Sequence, residues 1–153
     1  MNLRNYTSSV SVESSLSNIQ RLLAQAGATH ISTLYSSDDR HELIGVLFQI
    51  NVGKLPMTFR LPSKVEIVYH HLWEDIRRPK QDTQKRIREQ AARTAWKLLY
   101  DWVSIQVSMI KLEQVEAMEV FLPYAYDPQR DQTFFQRLKE TGFKQLAAGK
   151  TSE

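Results

Sequence analysis

The stretch LIGVLFQINVGKLPMTFRL, residues 43–61, decides between an all-helical chain and one built on a sheet. Its first eight residues, LIGVLFQI, form an apolar run rich in branched and aromatic side chains, short for a helix and right for a buried strand. NVGK then supplies a turn. Beyond it Leu55, Met57, Phe59 and Leu61 alternate with Lys54, Pro56, Thr58 and Arg60, the period-2 signature of one dry and one wet face. Pro56 has no N–H to donate to a ladder, so this strand belongs at a sheet edge. Strands are therefore predicted over 42–50 and 55–61.

Upstream, Ile31, Thr33 and Tyr35 alternate before the polar cluster SSDDR, which predicts a strand over 30–35 and completes a three-stranded antiparallel meander. Before it, Val12, Leu16, Ile19, Leu23 and Ala26 recur at helical spacing, with Ser11 placed to cap the start and Gly27 to close the end of a helix over 12–26. Downstream, Ser63 and Glu66 have the spacing of a capping box, and Val65, Val68, Leu72 and Ile76 give an apolar stripe, predicting a helix over 64–77. A long helix follows over 83–109, with apolar positions at 87, 91, 94, 95, 98, 102, 105 and 109. LEQVEAMEVFLPYAYDP reads as a short helix stopped by Pro123, with Val115, Met118 and Leu122 inward and Glu113, Glu116 and Glu119 outward. Phe134, Phe135 and Leu138 predict a last helix over 131–141. The order helix, meander, helix, then a mostly helical second half defines an α+β chain. It is read as one domain over 1–153, with an α/β part at 12–78, a helical part at 82–145 and a polar tail at 146–153, because neither part buries its apolar face alone.

Four strings, NYTSSVSVESSLSNIQRLLAQAGA, FRLPSKVEIVYHHLW, RTAWKLLYDWVSIQ and EVFLPY, resemble a family of small uncharacterised proteins encoded by bacteriophages and other mobile elements. The resemblance implies a genomic setting in which nucleic-acid handling and interference with host proteins are both common tasks. It brings no activity, cofactor or site residue with it.

The chain has no cysteine, which removes disulfides and thiolate chemistry and suits a reducing compartment. No apolar run approaches the roughly 18 residues of a membrane span, and MNLRNYTSSVSVESS lacks the apolar core of a signal peptide, so the expected location is cytoplasmic, with no membrane partner. No serine sits in a glycine elbow, and the ending GKTS lacks the glycine and the surrounding strand and helix of a phosphate-binding loop. Glu66, His70 and Glu74 repeat every four residues, as do His71 and Asp75, but they read as polar contacts along a wet helix face rather than as a metal site. The sequence thus assembles no catalytic residues, metal ligands or cofactor site.

Charge is the informative feature. The net charge is +3, yet residues 77–97 hold eight Lys and Arg against Asp82 and Glu89, a local +6 that leaves −3 for the remainder. On a helical projection centred on Ile87, the residues Ala91, Leu98 and Trp102 share the dry side. Arg86, Gln90, Arg93 and Lys97 form one column opposite, about 16 Å long at 1.5 Å rise per residue. Tyr100 continues the column, Trp96 lies on its shoulder, and Arg77, Arg78, Lys80 and Lys85 extend the charge through the preceding loop. Cations neutralise phosphates and exposed aromatics stack unpaired bases, so this ridge predicts a nucleic-acid partner, single-stranded above all. An acidic protein surface is the alternative, and the Glu113, Glu116 and Glu119 face of a second copy would serve, making a homo-oligomer. The plain alternative is a solvated helix face.

Overall fold

The computed structural model describes residues 3–148. Helix α1 (Val12–Gln25) leads into strands β1 (Ala28–Tyr35), β2 (Leu43–Val52) and β3 (Leu55–Pro62); helices α2 (Val65–Glu74) and α3 (Thr83–Lys111) follow. The chain then runs through the short helix α4 (Ala117–Phe121), the two-residue strands β4 (Tyr126–Asp127) and β5 (Gln132–Thr133), and helix α5 (Phe134–Glu140). The main sheet is antiparallel in the order β1-β2-β3, the meander expected of an α+β chain.

The reading of residues 43–61 holds in detail. Val46, Phe48 and Ile50 of β2 pair with Leu61, Phe59 and Met57 of β3, so the dry positions of both strands meet on one face. Phe48 stacks on Phe59 at 5.2 Å between ring centroids, and Phe121 closes on Phe48 edge-on at 5.1 Å. Pro56 lies in β3, an edge strand, and the hairpin turns through Gly53 at φ +63°, a region a side chain rarely adopts. Gly45 is required for a different reason: a Cβ there would stand 2.7 Å from the Leu61 carbonyl oxygen.

The helices cover the dry face of the sheet. Ile19 and Leu23 of α1, Val65 and Tyr69 of α2, and Ala91, Trp96, Val103 and Val107 of α3 join the sheet residues in a single core. Helix α3 packs against both α1 and α2. It therefore buries more than one side, and its burial does not follow a single apolar stripe.

Local details depart from expectation in four places. Ser63 does not cap α2: Lys64 holds the N-cap position without a side-chain bond, and the Ser63 hydroxyl is buried with no partner among the described residues. The predicted capping partner Glu66 is drawn away by Arg88 of α3, and α2 ends at Glu74 rather than at 77. In the last quarter of the chain, Phe121 is the buried anchor and Leu122 is exposed, because α4 stops at Phe121 and passes into a 3-10 turn, Leu122–Tyr124, that contains Pro123. Finally, Phe134 and Phe135 remain 38% and 48% exposed, since α5 is set off by the β4–β5 hairpin, which the sequence pattern does not reveal. Ser11, by contrast, accepts from the Ser14 amide as expected, and Gly27 follows α1 at φ +102°.

Candidate nucleic-acid interface

The eight cations of the basic stretch divide into two sets with different surroundings. Arg88, Arg93 and Lys97 are already engaged with other groups of the protein. Arg88 makes two bonds to the Glu66 carboxylate at 2.8 and 3.1 Å, reaches Glu42 at 3.5 Å, and lies 4.3 Å over the Tyr69 ring. It thereby ties α3 to α2 and to the start of β2. The Arg88 bond holds the Glu66 carboxyl below its ordinary range and in return raises Arg88.

The predicted column of Arg86, Gln90, Arg93 and Lys97 does not face open solvent along its length, because the N-terminal segment, residues 3–10, lies across it. Gln90 donates to the carbonyls of Tyr6 and Ser8, at 3.2 and 3.1 Å. The Thr94 hydroxyl, fully buried one turn on, donates to the Asn5 carbonyl at 2.9 Å. Arg93 donates through Nε to the Ser8 carbonyl at 3.3 Å and through Nη2 to Gln90 Oε1 at 2.6 Å. Lys97 pairs with Asp101, which also receives Arg4 at 2.9 Å and Asn5 at 2.8 Å. Burial alone would raise the Asp101 carboxyl, but the bonds from Asn5, Lys97 and Arg4 outweigh it and hold the group below its ordinary value.

The aromatic half of the predicted ridge is withdrawn from the surface, Trp96 wholly and Tyr100 in part. Trp96 is fully buried in the core, its ring unable to meet a base without opening the fold. The helical projection failed here because α1 packs against α3 on the shoulder where Trp96 sits. Tyr100 is half-buried, with the Lys97 ammonium 4.8 Å over its ring. Leu98, assigned to the dry side, is 37% exposed.

The second set occupies the corner between α2 and α3. Arg77, Arg78, Lys80, Lys85 and Arg86 are all exposed. Arg86 stands 3.4 Å from Asp82 in an ion pair whose side chains are both well exposed, so water and salt screen it. Among the described residues, the other four side chains reach no carboxylate. The Thr83 hydroxyl accepts from the Lys80 amide at 2.7 Å and is itself buried, which pins the loop to the first turn of α3. The corner thus presents exposed cationic side chains on a backbone held by the Thr83 hydroxyl.

The His and carboxylate pattern on α2 gains no metal geometry. Glu66 is bonded by Arg88, and among the described residues no group of three or more His, Cys, Asp or Glu side chains converges. The GKTS ending begins at Gly149 and lies outside the described residues. Among the described residues, no helix is long and apolar enough to cross a membrane. No family model, curated protein or solved structure matches the chain.

What sequence reasoning missed is the N-terminal strap and the polar residues that seat it. Gln90, Thr94 and Asp101 recur along one flank of α3, and the Lys97–Asp101 spacing is that of an i,i+4 ion pair. Thr94, counted among the apolar positions of the helix although it carries a hydroxyl, was the available signal, since threonine is a poor helix former and gains from a buried acceptor.

Proposed function

We propose that this chain is a non-enzymatic nucleic-acid-binding accessory protein of a bacteriophage or other mobile element, holding phosphate at the α2–α3 corner. The observation that carries this reading is the exposure of Arg77, Arg78, Lys80, Lys85 and Arg86 together on one corner, four of them without a carboxylate partner among the described residues. Free cations of this kind displace counterions from a polyphosphate, which drives association without reading sequence. With Trp96 buried and Tyr100 beneath Lys97, base stacking drops out of the predicted contact. Duplex and single strand should then bind comparably, in place of the preference for single strands that the sequence suggested. The phage setting rests on the sequence resemblance.

A second reading, an acidic protein partner at the same corner, is favoured by the same loss of exposed aromatics, since a patch of charge alone fits either polyanion. Anisotropy of labelled single-stranded and duplex oligonucleotides, with polyglutamate as competitor, separates the two. Saturable binding at low salt that polyglutamate of equal charge displaces poorly supports nucleic acid. Efficient displacement favours the acidic protein, and no oligonucleotide binding at low salt overturns the proposal.

A further inference from the structure

The two edges of the main sheet are treated differently. The β3 edge carries Lys54, Pro56 and Arg60 in and beside the strand, and Ala125 bridges to Phe59, so the ladder is blocked and covered there. These are standard defences against pairing with another strand. The β1 edge has no such charge, proline or bridge among the described residues. Its sequence ATHISTLY contains no Lys, Arg, Asp, Glu or Pro, among the described residues β1 pairs with β2 alone, and the register shifts in β1 fall at its ends and leave His30–Leu34 regular. An uncharged strand rich in β-branched residues, left with one row of backbone donors and acceptors unpaired, is a template for another strand.

We infer that β1 is a self-pairing edge, along which two copies of this chain join antiparallel to make one continuous sheet. The register shifts in β1 fall between Ala28 and His30 and between Leu34 and Tyr35, so the regular part of the strand is His30–Leu34, centred on Ser32. A two-fold axis at Ser32 sets Ile31 of one copy against Thr33 of the other, and His30 against Leu34. Ile31 and Thr33 stand on the core face, paired within the chain with Phe48 and Val46, so the new junction continues the apolar face with β-branched pairs. No like charges meet anywhere along the pairing, because the strand carries no Lys, Arg, Asp or Glu. A strand of a different protein would need some feature of β1 to select it, and an uncharged strand that is complementary to itself offers none better than its own copy. The inference is independent of the basic corner, which lies at the α2–α3 connection.

Ser32 is exposed, so its side chain can be changed without touching the core. Sedimentation velocity of the full chain over a concentration series should show a reversible dimer. Ser32→Lys and Ser32→Glu should each weaken the dimer by about threefold or more, since like charges then oppose across the axis, while the melting temperature at concentrations low enough for all forms to be monomeric stays that of the wild type. An equimolar mixture of the two variants should recover the dimer, because Lys then faces Glu. A monomeric wild type, dimers that persist in both single variants, or a mixture that stays monomeric overturns the inference.

Discussion

The strap-covered flank of α3 and the α2–α3 corner draw their cations from one stretch of sequence, yet they differ in what each cation already holds. On the flank, Arg93 and Lys97 are tied to Ser8, Gln90 and Asp101, and Arg88 on another face is tied to Glu66. At the corner, Arg77, Arg78, Lys80 and Lys85 hold no carboxylate among the described residues. A positive side chain that is half-buried and satisfied contributes to stability. One that is solvated and unpaired is available to a partner, and a count of charges along the sequence does not distinguish them.

The sharpest way to break this division is through Trp96, placed by the sequence on the binding ridge and by the structure in the core. Trp96→Ala should cost about 3–5 kcal/mol of stability in chemical denaturation, the range for emptying a large aromatic site. A loss below about 1 kcal/mol would return Trp96 to the surface. Next in size is the seat of the strap. Thr94→Val removes the hydroxyl that donates to the Asn5 carbonyl and accepts from Gln90, while the Ser8 amide still donates to that carbonyl, and should cost about 1 kcal/mol, with faster hydrogen exchange along residues 3–10.

Asp101 adds a pH signature. Its folded-state pKa is depressed, so the unfolded chain takes up a proton first as pH falls. The stability it provides is full above the ordinary carboxylate range and disappears as pH drops through the lower, folded value. Glu66 acts with the same sign through Arg88. Asp101→Asn should therefore lower stability at neutral pH by about 1–3 kcal/mol and flatten the loss on acidification. An unchanged acid profile would show that Lys97, Arg4 and Asn5 do not hold that carboxylate in solution. The smallest effect on folding is expected from changing Arg77, Arg78, Lys80 and Lys85 together to Gln. Exposed residues of this kind move stability by about 0.5 kcal/mol or less.

The sheet was legible because strand periodicity is set by the backbone: alternation at 55–61, Pro56 and the turn at Gly53 each act locally. The helices were legible to within a few residues for a similar reason. The site was legible only as charge. A helical projection gives the angle of each residue on α3, but not what lies opposite it. The bonds that decide the matter, from Thr94 to Asn5 and from Gln90 to Tyr6 and Ser8, link residues more than eighty positions apart. Trp96 was misplaced because α3 is packed by α1 on one side and α2 on another, so no single apolar stripe describes it. The Ser63–Glu66 capping box failed because a bidentate guanidinium competes better for a carboxylate than a backbone amide does.

The most direct test of the division is the salt dependence of duplex binding, measured on two variants: the corner quadruple, Arg77, Arg78, Lys80 and Lys85 to Gln, and the flank pair, Arg93→Gln with Lys97→Gln. If each corner cation neutralises one phosphate, the slope of log affinity against log salt should shrink by about 3–4 in the quadruple, with the melting temperature unchanged. The flank pair should lower the melting temperature and leave the slope where it was. A slope that falls with the flank pair and not with the corner quadruple would contradict the assignment.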